Sequence, residues 1–110
     1  MRSARQTLMP TFETVPRFDR DWKKLTAQQQ ALFRRVVTEA FVSDLASPER
    51  PFRPGLRVKG VTAYPGVFEM TWDGDGRATF SYGEEQVAGE PHVIWRRIGT
   101  HAIFTPPPGP

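Results

Sequence analysis

His92-Val-Ile-Trp-Arg-Arg-Ile-Gly-Thr-His-Ala-Ile-Phe104 is the stretch whose reading decides the fold. Val93 to Arg97 is bulky, β-branched or basic. It follows a Gly-Glu-Pro turn at 89–91 and runs to Gly99, the pattern of a strand. If strand geometry continues to His101, side chains alternate. Val93, Trp95, Arg97 and His101 then share one face, and Ile94, Arg96 and Ile98 the other. Ile94 and Ile98 are expected to anchor a core. Trp95, Arg97 and His101 are expected on a solvated face, where cations, a stacking surface and a group titrating near neutrality suit a phosphodiester. The plain alternative is a strand end carrying a surface Arg and His.

The rest of the chain limits what that strand can belong to. With 110 residues there is room for one domain and one modest core. The absence of cysteine excludes a disulfide frame, a thiol nucleophile and a cysteine-based zinc site. No apolar run approaches the roughly 18–20 residues of a membrane span, and the first residues lack the apolar core of a signal peptide. A cytoplasmic protein is expected. The net charge of +3 leans toward an anionic partner, either nucleic acid or an acidic protein.

Residues 1–10 are polar and basic without periodicity and read as a flexible arm. Thr11-Phe-Glu-Thr-Val15 alternates as an edge strand stopped by Pro16. Phe18, Trp22 and Leu25 fall at helical spacing, which makes Trp22 a core residue rather than a base-stacking one. Thr26-Ala-Gln-Gln29 is a capping box. The helix it opens is expected to run to about Leu45, with Leu32, Val36, Ala40, Phe41 and Leu45 as its apolar stripe. Gln30, Arg34, Arg35 and Glu39 stay wet. Ser47-Pro48 ends it, and residues 47–55 form a connecting loop.

Leu56-Arg-Val-Lys-Gly-Val61 alternates as a second strand, placing Arg57 and Lys59 on one face. In Val67 to Trp72, Phe68, Met70 and Trp72 share a face opposite Glu69 and Thr71. Asp73-Gly-Asp-Gly76 is a hairpin turn. It lacks the closing glutamate of a calcium loop. Arg77 to Tyr82 pairs back, with Ala78, Phe80 and Tyr82 inward. Residues 105–110, with four prolines, read as a disordered tail. The sum is one α+β domain at 11–104: two N-terminal helices on one face of a mainly antiparallel sheet of four to five strands. The other face collects Arg57, Lys59, Glu69, Arg77, Arg97 and His101.

That order of elements resembles the RelE/ParE superfamily of toxins from type II toxin–antitoxin systems, over roughly residues 12–104. Arg97-Ile-Gly-Thr-His101 followed by an aromatic is similar to the ending of the RelE/YafQ-like branch, whose members are ribosome-dependent mRNA endonucleases. The resemblance implies that His101 takes part in cleavage and that Phe104 helps hold the RNA. It implies that Leu56-Arg-Val-Lys59 grips phosphates through Arg57 and Lys59, and that Arg77 stabilises the reacting phosphate. It also implies a cognate antitoxin, with the ribosome and mRNA as further partners. Three features depart from the branch, the first being that it uses further histidines where the only other one here is His92. The gap from His101 to Phe104 is one residue shorter, and Arg77 stands where an acid is usual.

Cleavage of RNA by its own 2′-hydroxyl needs a base, an acid for the 5′-oxygen and positive charge on the phosphorane; it needs no metal or cofactor. His101 is the near-neutral acid or base on the polar face. Arg77 and Arg97 can contact the phosphate bidentately. Glu69 is either the base or a structural ion-pair partner, while Trp95 and Phe104 offer stacking surface. His92, beside Pro91, reads as structural. Two other readings stay open: a ParE-like toxin of the same fold that binds a protein such as gyrase, and a small basic nucleic-acid-binding domain.

Overall fold

The computed structural model describes residues 10–47 and 49–104; the expected arm at 1–10, apart from Pro10, and the tail at 105–110 lie outside them. Strand β1 (Thr11–Thr14) is followed by helix α1 (Pro16–Lys23). A long helix then runs as α2 (Ala27–Val36), a π-helical turn (Val37–Phe41) and α3 (Val42–Leu45). A 3-10 turn (Pro54–Leu56) leads to β2 (Lys59–Gly60). Strands β3 (Val67–Thr71), β4 (Gly76–Gly83) and β5 (His92–Thr100) follow, and His101–Phe104 form a closing 3-10 turn. The sheet order is β1-β5-β4-β3-β2, parallel only between β1 and β5. This is the expected two-layer α+β arrangement. No helix among the described residues is long and apolar enough to cross a membrane.

The capping box forms as its sequence demands. Thr26 Oγ1 accepts from the Gln29 amide at 3.1 Å, and Gln29 Oε1 accepts from the Thr26 amide at 2.8 Å. Arg34, Arg35 and Glu39 stay exposed, while Leu32, Val36 and Ala40 are partly buried against the core. The deepest residues of the long helix are Phe33, outside the expected stripe, and Phe41 and Leu45 within it, spaced eight and four apart. An α-helix of 3.6 residues per turn drifts off a spacing of four. The wider i→i+5 turn between Val37 and Phe41 takes up that drift, so one face keeps meeting the sheet.

Aromatic rings make the core between the layers. Phe33 and Phe41 each lie 5.2 Å from Trp95 between ring centroids, and Phe41 lies 5.1 Å from Phe80. Met70, Ala78, Phe80 and Val93 are fully buried. Phe68, Met70 and Trp72 share the helix-facing side as expected. Tyr82, expected inward, touches Phe68 and Phe80 yet remains half exposed.

Strict alternation fails in β5. Thr79 pairs with Arg97 and Phe80 pairs with Trp95, so Arg96 is the extra residue of a β-bulge. The bulge shifts parity, and Val93, Trp95 and Ile98 all face the core. Val93 and Trp95 are therefore interior residues, not members of a polar face. Trp95 is only 5% exposed and unavailable for stacking on a base. Ile94, expected in the core, is half-buried opposite Ser81.

The expected strand at Leu56–Val61 shrinks to Lys59–Gly60. Pro54 opens a 3-10 turn that drops Leu56 into the core, 3% exposed. The chain then reverses at Arg57, whose φ of 48° is left-handed, before it reaches the sheet edge. A non-glycine residue in that conformation costs about 1–2 kcal/mol.

Candidate functional site

Five of the residues singled out from the sequence line one cleft of about 280 Å³: Arg57, Lys59, Glu69, Arg77 and His101, with Val58 and Thr71. Cross-strand pairing brings them together. Lys59 sits opposite Glu69, Thr71 opposite Arg77, and Arg77 opposite Gly99. His101 arrives from the end of β5, where its backbone N–H donates to the Asp75 carbonyl at 2.9 Å. The β3–β4 hairpin and the 3-10 turn of His101 are thereby tied together. Gly99 permits this close return, because a Cβ there would lie 2.8 Å from Ile103 Cγ2.

The side chains in the cleft differ in how firmly they are held. Arg77 Nη1 donates to the carbonyls of Gly76 at 3.0 Å and Gly74 at 3.3 Å. Its Nε and Nη2 have no hydrogen-bond partner among the described residues. Lys59 Nζ lies 3.8 Å from Glu69 Oε1; the lysine is largely exposed, the glutamate side chain only 15% exposed. His101 is exposed, and its ring packs 5.4 Å from that of Phe104. The ring nitrogens of His101 are unbonded among the described residues, free to meet a ligand. Cations thus outnumber the single carboxylate, a balance suited to an anionic ligand.

Arg97 does not join them. Its Nε donates to Asp21 Oδ2 at 2.7 Å and its Nη2 to Asp21 Oδ1 at 3.4 Å, both side chains being about one-tenth exposed. Strand β1 stops at Thr14, which leaves the outer edge of β5 without a neighbour at Ile98. Asp21 Oδ2 accepts the Ile98 N–H at 3.1 Å and so caps that edge. A nearly buried carboxylate needs a cation, and Arg97 supplies it. The sequence held a signal for this. Asp21 lies within the apolar spacing of Phe18, Trp22 and Leu25, where a carboxylate requires a buried partner.

His92 is structural, as expected. Its Nδ1 lies 2.7 Å from Thr11 Oγ1 and its Nε2 2.6 Å from Glu13 Oε1, which locks β1 to β5. No group of three or more His, Asp or Glu side chains among the described residues is placed to hold a metal ion.

No protein-family model matches the chain, and no curated protein matches it. Solved structures do. The toxin in the crystal structure of the E. coli DinJ-YafQ toxin–antitoxin complex aligns with a TM-score of 0.58 at 14% identity, over 86% of this chain and 96% of that one. A copper-bound mutant toxin from Helicobacter pylori aligns at 0.59 with 16% identity, over 86% and 97%. A conserved hypothetical protein from the same organism aligns at 0.55 with 20% identity, over 87% and 99%. The chain has the fold of the RelE/YafQ-like toxins. In this fold the cleft lies at the β2–β3–β4 side of the sheet, where the closing turn brings His101 to it, with Phe104 against the His101 ring.

Proposed function

We propose that this protein is the toxin of a type II toxin–antitoxin pair, an endoribonuclease that cuts mRNA on the ribosome and is silenced by its antitoxin. The observation that carries the proposal is the convergence of Arg57, Lys59, Glu69, Arg77 and His101 on one cleft. Arg57 and Lys59 hold the RNA backbone beside the scissile phosphate. The 2′-hydroxyl attacks phosphorus while Glu69 takes its proton. The free donors of Arg77 meet the charge that builds on the phosphorane. His101, protonated, gives its proton to the departing 5′-oxygen. The products are a 2′,3′-cyclic phosphate and a 5′-hydroxyl. Phe104, against the His101 ring, supplies the stacking surface that the buried Trp95 does not. The net positive charge suits an acidic antitoxin, whose approach electrostatic steering would speed.

His101→Gln tests the proposal. The ring is exposed, so the fold and ribosome binding should persist, while cleavage on programmed ribosomes falls about 10²–10⁴-fold. Growth arrest on induced expression should be lost in parallel. Glu69→Gln should lower the chemical step as well, with Lys59 still in place to hold substrate. Cleavage and growth arrest equal to the parent in His101→Gln would remove the nuclease reading and leave a toxin of the same fold that only binds a protein target such as gyrase.

A further inference from the structure

Strand β1 forms one edge of the sheet, and β2 forms the other. Thr11 N–H donates to the Pro91 carbonyl at 3.0 Å and Val15 N–H to the Trp95 carbonyl at 3.2 Å. Residues 11, 13 and 15 thus turn their backbone groups to β5, and alternation turns those of Phe12 and Thr14 outward. Their N–H groups have no hydrogen-bond partner among the described residues. Glu13, the one charge on the strand, is paired with His92 on the face away from the helices. Phe12 is 39% exposed, its ring stacked 6.3 Å from that of Trp95. On the helix side, beside Thr14, lies a groove of about 410 Å³. Trp22, Arg34, Val37 and Thr38 line its accessible wall, with the Arg34 guanidinium 5.0 Å over the Trp22 ring. Helix α1 and the residue after it expose Arg17, Arg20, Lys23 and Lys24. The exposed carboxylate among them, Asp19, accepts from Thr14 Oγ1 at 2.8 Å, and Asp21 is closed in its pair with Arg97.

We infer that this surface docks an extended, acidic segment of the antitoxin, which adds a strand outside β1 and sets an apolar side chain in the groove; the inference rests on the toxin–antitoxin reading above. Outward N–H and C=O groups at strand spacing are met by another strand, which selects an extended segment over a helix. Alternation in the added strand carries every second side chain over the helix layer, where the groove receives an apolar one. Strand β1 is four residues long, so its edge supplies few hydrogen bonds, and the groove and the cations must add to the hold. The exposed cations of α1 select an acidic segment, and they disfavour a second copy of this chain, whose net charge is +3. The cleft lies toward the β2 edge, so a segment held here anchors the antitoxin and leaves the cleft to the rest of it.

The test uses the whole protein and the product of the gene beside its own, scored first for rescue of growth on co-expression. Amide exchange is then followed by 15N NMR. The Phe12 and Thr14 amides should exchange freely in the free protein and slow by about tenfold or more in the complex. Thr38→Arg, at an exposed position of the long helix, lays a long cation over the groove and should weaken binding about tenfold, while growth arrest by the variant alone persists. Arg17→Glu with Arg20→Glu should slow association and make it less sensitive to salt. Rescue of growth with unaltered exchange at Phe12 and Thr14, or with undiminished binding by Thr38→Arg, would overturn this docking surface and leave the toxin–antitoxin reading standing. Slow exchange at both amides in the free protein would overturn it too, since a second copy or the chain itself would already hold the edge. A neighbour that neither binds nor rescues growth would overturn both.

Discussion

Arg97 and Asp21 divide the work of one strand end between stability and shape. Their ion pair is nearly closed to water, and the same carboxylate caps the Ile98 amide where β1 has already ended. Breaking such a pair from one side strands the other charge, which typically costs about 3–5 kcal/mol. Asp21→Ala also orphans a backbone donor, so it should lie at the upper end of that range in urea unfolding. Arg97→Met keeps much of the packing and should lose less. Neither change touches the cleft, so whatever folded protein remains should keep its activity per molecule. A selective loss of cleavage in Arg97→Met at unchanged stability would return Arg97 to the site. The sequence showed Arg97 only as a basic residue at the parity of His101. Its partner lies 76 residues away; the place of Asp21 among apolar helix positions signals that a buried cation is needed, but not that Arg97 is the one.

Most elements are legible because local chemistry and packing agree. The capping box, the Asp73–Gly76 turn and the alternation of Phe68, Met70 and Trp72 each specify one outcome, and the fold adopts it. The bulge at Arg96 and the left-handed Arg57 are different. Each is set by what the sheet must meet in three dimensions, and strand periodicity carries no trace of it. Two element-scale consequences follow. Gly99→Ala would force Cβ against Ile103, displacing the turn that carries His101 and Phe104. Activity should fall at least tenfold with little change in stability, and adding Ile103→Ala should restore it; a double variant as inactive as the single one would show that Gly99 acts otherwise. The loop after the long helix is held by Asp44, which accepts from the Arg53 backbone and guanidinium and whose carboxyl is thereby held below its ordinary range. A depressed carboxyl stabilises the fold above its unfolded pKa, near 3.8, and loses that contribution as pH falls through the folded value. Replacement by Asn should therefore lower stability at neutral pH, and the difference from the parent should shrink only below about pH 4.

Across the whole molecule, cations are distributed over both layers, but their engagements differ. On the helical layer, Arg35 pairs with Glu39 at 3.3 Å and the Arg34 guanidinium lies 5.0 Å over the Trp22 ring. On the sheet, Arg57 and the outer donors of Arg77 have no side-chain partner among the described residues, and Lys59 reaches only one glutamate. A net charge of +3 spread evenly would bind an anion weakly anywhere. Gathered at the cleft, the cations would, on the nuclease reading, set a path for a phosphate backbone. The slope of binding against salt reports which cations meet phosphates, since each contact to single-stranded RNA contributes about 0.7 to the slope of log affinity against log salt. Lys59→Glu with Arg77→Glu should weaken binding of a single-stranded RNA and flatten that slope by about 1.4, as two contacts are lost. Arg34→Glu with Arg35→Glu changes the net charge by the same amount, so it controls for long-range attraction, and it should leave the slope nearly unchanged. Fluorescence anisotropy over a salt series measures both. A helix-face variant that flattens the slope more than the cleft variant would move the RNA from the sheet to the helices, and the assignment of His101 as the proton donor would go with it.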